Sequence, residues 1–332
     1  MYFIAEIGVN HEAKLSNAYK CIRDAKHGGA HAIKLQCYKA EKIASKYAHS
    51  YWGKKVEKES SQYKLYKRFD KFDFVDYKKI YNYCKKIKID FIITPFDVDS
   101  VKFFKSKVKY FKISSSDITN LPLIEKIALT KKPVILSTGA STKKEIGTAL
   151  NILKRKCKKI ILLHCILNYP TKKINANLNM INDIKKFGFP VGLSDHTIPK
   201  DSQEILIFAY IMGVRIIEKH FTFNKKKGGN DHFHSFDKKD LKLFFNKIKN
   251  IDPILGRKKK MFLSSEKISR KNARRSIFYN NNISKNTRIK KKNLIMLRPG
   301  NGINPFKYKE LIGRKIKYDR FKGDIAKFSD FV

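Results

Sequence analysis

Pro190-Val191-Gly192-Leu193-Ser194-Asp195-His196, then Ile205 to Met212, then Val214-Arg215-Ile216-Ile217-Glu218-Lys219-His220, follow one another in a single stretch of the chain. Each outer segment is a short apolar run, as parallel strands buried on both faces require. Between them Ile205, Phe208, Ala209 and Met212 recur three or four residues apart, which gives a helix one apolar face, with Asp201 placed as its N-cap. Both runs end in chemistry: Ser194 and His196 after the first, Glu218 and His220 after the second. The unit is strand, covering helix, strand.

The unit recurs along the chain. Apolar runs span Tyr2 to Ile7, Ala32 to Gln36, Asp90 to Thr94, Tyr110 to Ser114, Pro133 to Ser137, Lys159 to Cys165, Pro190 to Ser194 and Val214 to Glu218. Helical spacing returns at Leu15, Ala18, Ile22 and Ala25, and Ser141 or Thr142 is placed to cap a helix over Lys143 to Lys154. Strand and helix alternating about eight times over roughly 250 residues is the arithmetic of a TIM (β/α)8 barrel, an α/β fold. The polar residues agree with it. Glu6 with Asn10 and His11, Lys34 and Gln36, Thr94, Lys112 with Ser115 and Asp117, Ser137, Asn168 with Tyr169, His196 and His220 all fall at strand ends. A barrel gathers those ends at one mouth, whereas an open doubly wound sheet concentrates them at a switch point.

The rest of the chain is organised around that barrel. Tyr38 to Asp73, long, polar and aromatic, reads as a partly helical loop over the mouth. After Asn250 the rhythm changes: Pro253, Gly256 and Arg257 to Lys260 mark a linker, and alternating short strands with turn signals follow. The expected division is a catalytic barrel over 1–250, a linker over 251–272 and a small β-rich domain over 273–332.

Composition narrows the function. The 332 residues hold 73 Lys plus Arg against 29 Asp plus Glu, a formal net charge of +44, yet 42% are hydrophobic, enough for a large packed core. A disordered basic tail is excluded. The basic residues are spread along the chain, with short runs at Lys225 to Lys227, Lys258 to Lys260 and Lys290 to Lys292 and no interleaved aromatic ladder, so a solvated surface is expected and no nucleic-acid partner. The longest uncharged apolar run, Ile205 to Val214, is too short to span a bilayer, and a cytoplasmic protein without a membrane partner is expected. Cys21, Cys37, Cys84, Cys157 and Cys165 form no CxxC pair, which fits a reducing compartment.

At the mouth, His196 and His220 follow consecutive strands, and two neighbouring imidazoles can hold a divalent metal with its other positions open. Each can equally cap its strand end by hydrogen bonds, and Asp231, His232 and His234 form a second cluster able to supply ligands instead. Lys34, Lys112 and Lys219, with Thr94, Ser115, Ser137 and Ser194, form a donor set suited to a small phosphorylated acid. The rival for one of these lysines is a Schiff-base nucleophile. Glu6, Asp117, Glu218 and Asp231 are candidate acids and bases.

Taken in order, Ala5-Glu6-Ile7-Gly8-Val9-Asn10-His11, Ala32-Ile33-Lys34-Leu35-Gln36, Thr94-Pro95-Phe96, Phe111-Lys112-Ile113-Ser114-Ser115, Leu136-Ser137-Thr138-Gly139, Tyr169-Pro170-Thr171, Gly192-Leu193-Ser194-Asp195-His196-Thr197 and Glu218-Lys219-His220-Phe221 resemble the sialic acid synthase family. Ala273-Arg274-Arg275-Ser276, Arg298-Pro299-Gly300-Asn301-Gly302-Ile303 and Leu311-Ile312-Gly313-Arg314 resemble that family's antifreeze-like (SAF) domain. The resemblance covers essentially the whole chain. It implies condensation of phosphoenolpyruvate with N-acetylmannosamine or a related acetamido hexose, as N-acetylneuraminate synthases and their legionaminic and pseudaminic acid relatives carry out. It implies that Lys34, Thr94, Lys112, Ser115, Ser137 and Ser194 bind phosphoenolpyruvate. His196 and His220 would hold the metal, Mn²⁺ first, with Mg²⁺ or Co²⁺ as alternatives. Glu6, Gln36, Tyr169 and Asp231 would line the sugar site, and Arg298 would reach the other subunit's site in a domain-swapped homodimer. Glu6, Asp117, His196 and His220 are the expected catalytic set.

Two positions depart from the family pattern. Asp117 stands where a Glu is frequent, and Asn168 stands one residue after the matching Asn, which aligns with Leu167. Acceptor choice is expected in the aromatic loop Tyr47 to Tyr66 and in Gly228 to Ser235. Two readings of other classes remain beside this one: a lysine Schiff-base aldolase, and a basic nucleic-acid or glycan-binding protein.

Overall fold

The computed structural model describes residues 1–53, 57–227 and 231–332, so 54–56 of the aromatic loop and Gly228 to Asn230 of the second acceptor region lie outside the described residues. Two compact units are present, Met1–Ile254 and Leu255–Val332. In the first, β1 (Tyr2–Gly8), β2 (Ala32–Cys37), β3 (Asp90–Pro95), β4 (Tyr110–Ile113), β5 (Val134–Ser137), β6 (Ile160–Cys165), β7 (Val191–Asp195) and β8 (Ile216–His220) close into a parallel barrel in sequential order. The closing pair sets Ile4 against Glu218 and Glu6 against His220.

Alternation along each strand builds the two cores. On β1, Phe3, Ala5 and Ile7 join the layer between barrel and helices, where Ala18, Cys21, Ile22 and Ala25 of the helix Leu15–Gly28 also lie. Ile4 belongs to the interior with Ala32, Ile92, Tyr110, Ile135, Ile161 and Leu163. The barrel is thus filled, and the next inward residues toward the carboxyl ends, Glu6, Lys34, Lys112 and Glu218, are all buried. At this level the interior turns from apolar to charged.

The elements over 142–212 match and correct the expectations. Thr142 caps the helix Lys143–Leu153 in a reciprocal box with Glu145. The helix after β7 is Pro199–Ile211, with Asp201 inside its first turn and not at its cap. Proline has no N–H to leave unpaired and its fixed φ suits the first helical position, so the helix starts before the aspartate. Its buried face is Ile205, Leu206, Ala209 and Tyr210, while Phe208 is exposed.

The expected linker is partly helical. The helix Lys238–Leu255 continues through Pro253, and a second short helix spans Lys267–Ala273. In the second unit β9 (Ser276–Tyr279) pairs antiparallel with β10 (Leu294–Leu297). Ile277, Tyr279, Ile289, Leu294, Leu311 and Ile316 are among its buried core. All five cysteines are free and buried. Among the described residues no helix is long and apolar enough to cross a membrane.

Candidate active site at the mouth of the barrel

Two clusters share the mouth. The first is ionic. Lys34 Nζ lies 2.6 Å from Glu6 Oε2 and 3.8 Å from Glu218 Oε1, and Lys112 Nζ lies 3.6 Å from that same Glu218 oxygen. Ser194 Oγ donates to Glu218 at 2.9 Å, Lys34 to Thr94 Oγ1 at 3.2 Å, and Gln36 Nε2 to Glu6 Oε1 at 3.1 Å. Burial by itself would raise the Glu218 carboxyl, but Lys112 and Lys34 outweigh it and hold the group below its usual range. Lys34 shows the mirror case: burial would lower it, and the Glu218 and Glu6 carboxylates keep it above its ordinary value. Lys112 falls below its ordinary value, chiefly because burial is less fully offset. Lys112 is therefore the less firmly paired cation, and Ser137 Oγ, also buried, has no hydrogen-bond partner among the described residues. Ser115 Oγ accepts the Gly139 N–H at 2.9 Å, which leaves its own proton available.

The second cluster is aromatic and imidazole-rich. Tyr169 lies 4.2 Å from His196, His196 5.4 Å from His220, and His220 4.8 Å from His234, centroid to centroid. His196 Nδ1 stands 2.8 Å from the Ile166 carbonyl oxygen, which can only accept. That nitrogen carries the proton, and Nε2 keeps its lone pair, the arrangement that readies a histidine for a metal. Asp231 Oδ2 is 3.1 Å from His220 Nδ1. Burial opposes ionisation of Asp231, but His220 and His234 hold it well below the usual carboxylate range. Donor atoms of His220, Asp231 and His234 lie within 4.8 Å of one another. Imidazole lone pairs and an anionic carboxylate in a buried pocket are a donor set suited to a divalent cation.

A cavity of about 450 Å³ opens beside the second cluster and reaches the first through Gln36. Gln36, Asp117, Tyr169, His220 and Asp231 form its polar side, and Ile43, Tyr51, Trp52, Leu65, Phe69 and Phe233 its apolar side. The apolar wall comes largely from the loop after β2, which carries the helices Ala40–Ile43 and Gln62–Phe69. Burial raises the Asp117 carboxyl, although Asn120 Nδ2 donates to it at 2.9 Å. Leu167 lines the cavity, and Asn168 is exposed.

Several sequence expectations are redistributed. Lys219 does not join the phosphate set: it is fully buried on the other side of β8, 2.8 Å from Asp195 Oδ2. The physical reason is alternation, since Glu218 and His220 point inward and the residue between them cannot. His232 turns away from Asp231 and His234, its Nδ1 2.7 Å from Thr222 Oγ1. Arg298 is exposed on the second unit. Cys165, buried beside His196 at 3.8 Å, and the glycines Gly8 and Gly139 were not among the expected site residues. Gly139 could have been found as the glycine closing Ser137-Thr138-Gly139, where a Cβ would stand 2.9 Å from Ser115 Oγ.

The sequence model of the NeuB family matches residues 21–260, and that of the SAF domain matches residues 274–332. The chain belongs to the NeuB family. Among relatives, N,N'-diacetyllegionaminic acid synthase of Campylobacter jejuni is 36% identical over 328 residues, covering 97% of each chain. The synthase of the same name from Legionella pneumophila is 33% identical over 333 residues, covering 97% of this chain and 92% of its own. Among solved structures, the N-acetylneuraminic acid (sialic acid) synthetase of Leptospira borgpetersenii superposes with a TM-score of 0.70 at 34% identity, covering 81% of this chain and 89% of that one. Relatives of this NeuB-family chain are thus sialic-acid-type synthases. The family's metal fits the residues present, because His196 offers a free Nε2 and His220 faces an ionised carboxylate.

Proposed function

We propose that this protein condenses phosphoenolpyruvate with the open-chain aldehyde of N-acetylmannosamine or a related N-acetylated hexose, consuming one water that adds to C2 of phosphoenolpyruvate, and giving a nine-carbon 2-keto acid sugar and inorganic phosphate. One observation carries the reading: at one barrel mouth, a buried lysine and hydroxyl set stands beside an imidazole–carboxylate set whose His220 and Asp231 line a cavity of about 450 Å³, with Gln36, which donates to Glu6, lining it too. Lys112, Ser115 and Ser137 face the phosphate, with Lys34, Thr94 and Ser194 around the carboxylate. Glu6, Gln36, Tyr169 and Asp231 hold the sugar. A divalent ion bound by His196 and His220, Mn²⁺ in the first instance, supplies Lewis-acid polarisation of the aldehyde oxygen. Asp117, which lines the cavity and whose carboxyl burial raises, is assigned proton transfer, a role worth ~10²- to 10⁴-fold in rate.

Within the acceptor class, the wall of Tyr51, Trp52, Leu65 and Phe69 favours a hexose with a second acetamido group, whose methyl needs an apolar surface. The two diacetyllegionaminic acid synthases among the relatives support that choice. Arg298, on the second unit, is assigned to the N-acyl group of the sugar in the partner subunit of a domain-swapped homodimer.

The test is phosphate release by purified full-length protein given phosphoenolpyruvate, Mn²⁺ and a panel of N-acetylmannosamine and diacetamido hexoses. Turnover that stops with EDTA and leaves no borohydride-trapped adduct on Lys34 or Lys112 is expected. No turnover across the panel overturns the reading, and EDTA-resistant turnover with trapping replaces it by Schiff-base chemistry.

A further inference from the structure

His234 is fully buried, and neither of its ring nitrogens has a hydrogen-bond partner among the described residues. A buried imidazole in that state costs free energy that a phenylalanine of similar shape would not. Its neighbours are themselves ligand types. Asp231 Oδ1 lies 4.0 Å from His234 Nε2, the His220 ring centroid is 4.8 Å away, and that of His196 is 6.4 Å away. Ligands at about 2.1 Å from an ion stand roughly 3 to 3.5 Å from one another. Donor atoms of His220, Asp231 and His234, all within 4.8 Å of one another, therefore need only small rotamer adjustments to reach one ion. His232, two residues earlier, provides the contrast, since its Nδ1 is bonded to Thr222 and its Nε2 faces Glu12 at 3.6 Å.

We infer that His234 is a third imidazole ligand of the divalent-ion site, beside His196 and His220, with Asp231 completing a nitrogen-rich donor set. The inference rests on the reading of His196 and His220 as metal-holding residues. Three imidazoles suit a borderline transition ion far better than Mg²⁺, which prefers oxygen and water. The site is accordingly expected to take Co²⁺, Zn²⁺ or Mn²⁺ in preference to Mg²⁺. His234 follows Phe233, which lines the cavity, so the third ligand also couples the loop before Ser235 to the metal.

Co²⁺ added to metal-free full-length protein tests this without relying on activity. X-ray absorption of the wild-type Co²⁺ complex should count three imidazoles, and His234→Gln should reduce the count to two. Calorimetric Co²⁺ affinity should fall at least tenfold in His234→Gln, with thermal unfolding confirming that the variant is folded. Two imidazoles in the wild type overturn the inference whatever the variant does. If Co²⁺ binding is then lost in His196→Gln and His220→Gln, the two-histidine site stands without His234. If the wild type binds neither Co²⁺ nor Mn²⁺, both readings fall.

Discussion

Lys219 Nζ lies 2.8 Å from Asp195 Oδ2, and each residue immediately precedes one of the two mouth histidines, Asp195 before His196 and Lys219 before His220. The pair is buried, and Asp195 also accepts from Thr197 Oγ1 at 2.9 Å and Ser202 Oγ at 2.6 Å. Burial would raise the Asp195 carboxyl, but Lys219 chiefly, with the two hydroxyls, holds it below its usual range. Two adjacent strand ends are clamped from outside the barrel while their histidines project inward.

Removing one member leaves the other charge buried and unpaired. Lys219→Met or Asp195→Asn should each cost about 3–5 kcal/mol, whereas the double change should cost less than their sum. Thermal unfolding of the four proteins gives the coupling. Because the clamp positions both imidazoles, Lys219→Met should also weaken Co²⁺ binding, which a purely remote stability effect would not do.

His11 predicts an acid limit that is independent of the metal site. It is buried, stacks on Phe72 at 4.5 Å and accepts the Ala13 N–H on Nδ1 at 3.0 Å. Burial pulls its pKa from 6.5 down to about 4. The folded state thus favours neutral imidazole, so this contribution is fully present above pH 6.5 and is lost as pH falls from there through 4. Its full size is about 3 kcal/mol. His11→Asn should be less stable near neutrality and show a shallower loss of melting temperature between pH 6.5 and 4.

Lys112 and Lys34 differ in how firmly they are paired, and the difference predicts their kinetics. Lys34 is 2.6 Å from Glu6, while the nearest carboxylate oxygen to Lys112 is 3.6 Å away. Lys112→Met should therefore act mainly on phosphoenolpyruvate, with an affinity loss of roughly 10- to 100-fold if one charge-assisted hydrogen bond is removed. Lys34→Met should in addition leave Glu6 unpaired and lower the melting temperature. Phosphoenolpyruvate titration beside thermal unfolding separates the two.

Much of this was legible in the sequence, for identifiable reasons. Parallel strands covered on both faces must be apolar throughout, so all eight runs fell within two residues of β1 to β8. Polar side chains interrupt such runs only where the barrel opens, so Glu6, Lys34, Lys112 and His220 stood out. The misplacement of Lys219 came from reading β8 as a cluster, when its two-residue period already sends Glu218 and His220 one way and Lys219 the other. His234 and the aromatic wall are different. Their positions depend on how two long loops fold back over the mouth, and no local period encodes that. Composition marked the loop as aromatic, but the meeting of Tyr51, Tyr66 and Tyr169 is tertiary, with Tyr51 6.2 Å from Tyr169.

The assignment of Arg298 to a partner's site predicts complementation in trans. Arg298→Ala and Lys112→Met homodimers should each be strongly impaired when assayed at phosphoenolpyruvate well below the KM of the Lys112→Met protein. A mixed dimer would then contain one site with both an intact Lys112 barrel and an intact Arg298, so mixing and re-equilibrating the two proteins should restore activity. If Arg298 served its own subunit's barrel, no mixed dimer would hold an intact site, and activity would stay at the parental level.

Gly8 joins backbone conformation to chemistry at one residue. It closes β1 at the point where the register with β2 slips between Glu6 and Gly8, and its φ of +43° lies in the left-handed region. An alanine there is strained by roughly 1–2 kcal/mol from backbone sterics. Its Cβ would also stand 3.0 Å from Glu6 Oε1 and 3.4 Å from both Asp231 Oδ2 and Gln36 Nε2. The Glu6 carboxylate, held between Lys34 and Gln36, has to give way, and that shift disturbs the sugar side of the cavity while leaving Lys112 and Ser137 in place. Gly8→Ala should therefore lower the melting temperature by several degrees and reduce kcat/KM for the sugar at least tenfold, with a much smaller change in KM for phosphoenolpyruvate. Equal losses for the two substrates would mean that the strained turn supports the whole mouth, and the assignment of Glu6 and Gln36 to the sugar would then fail.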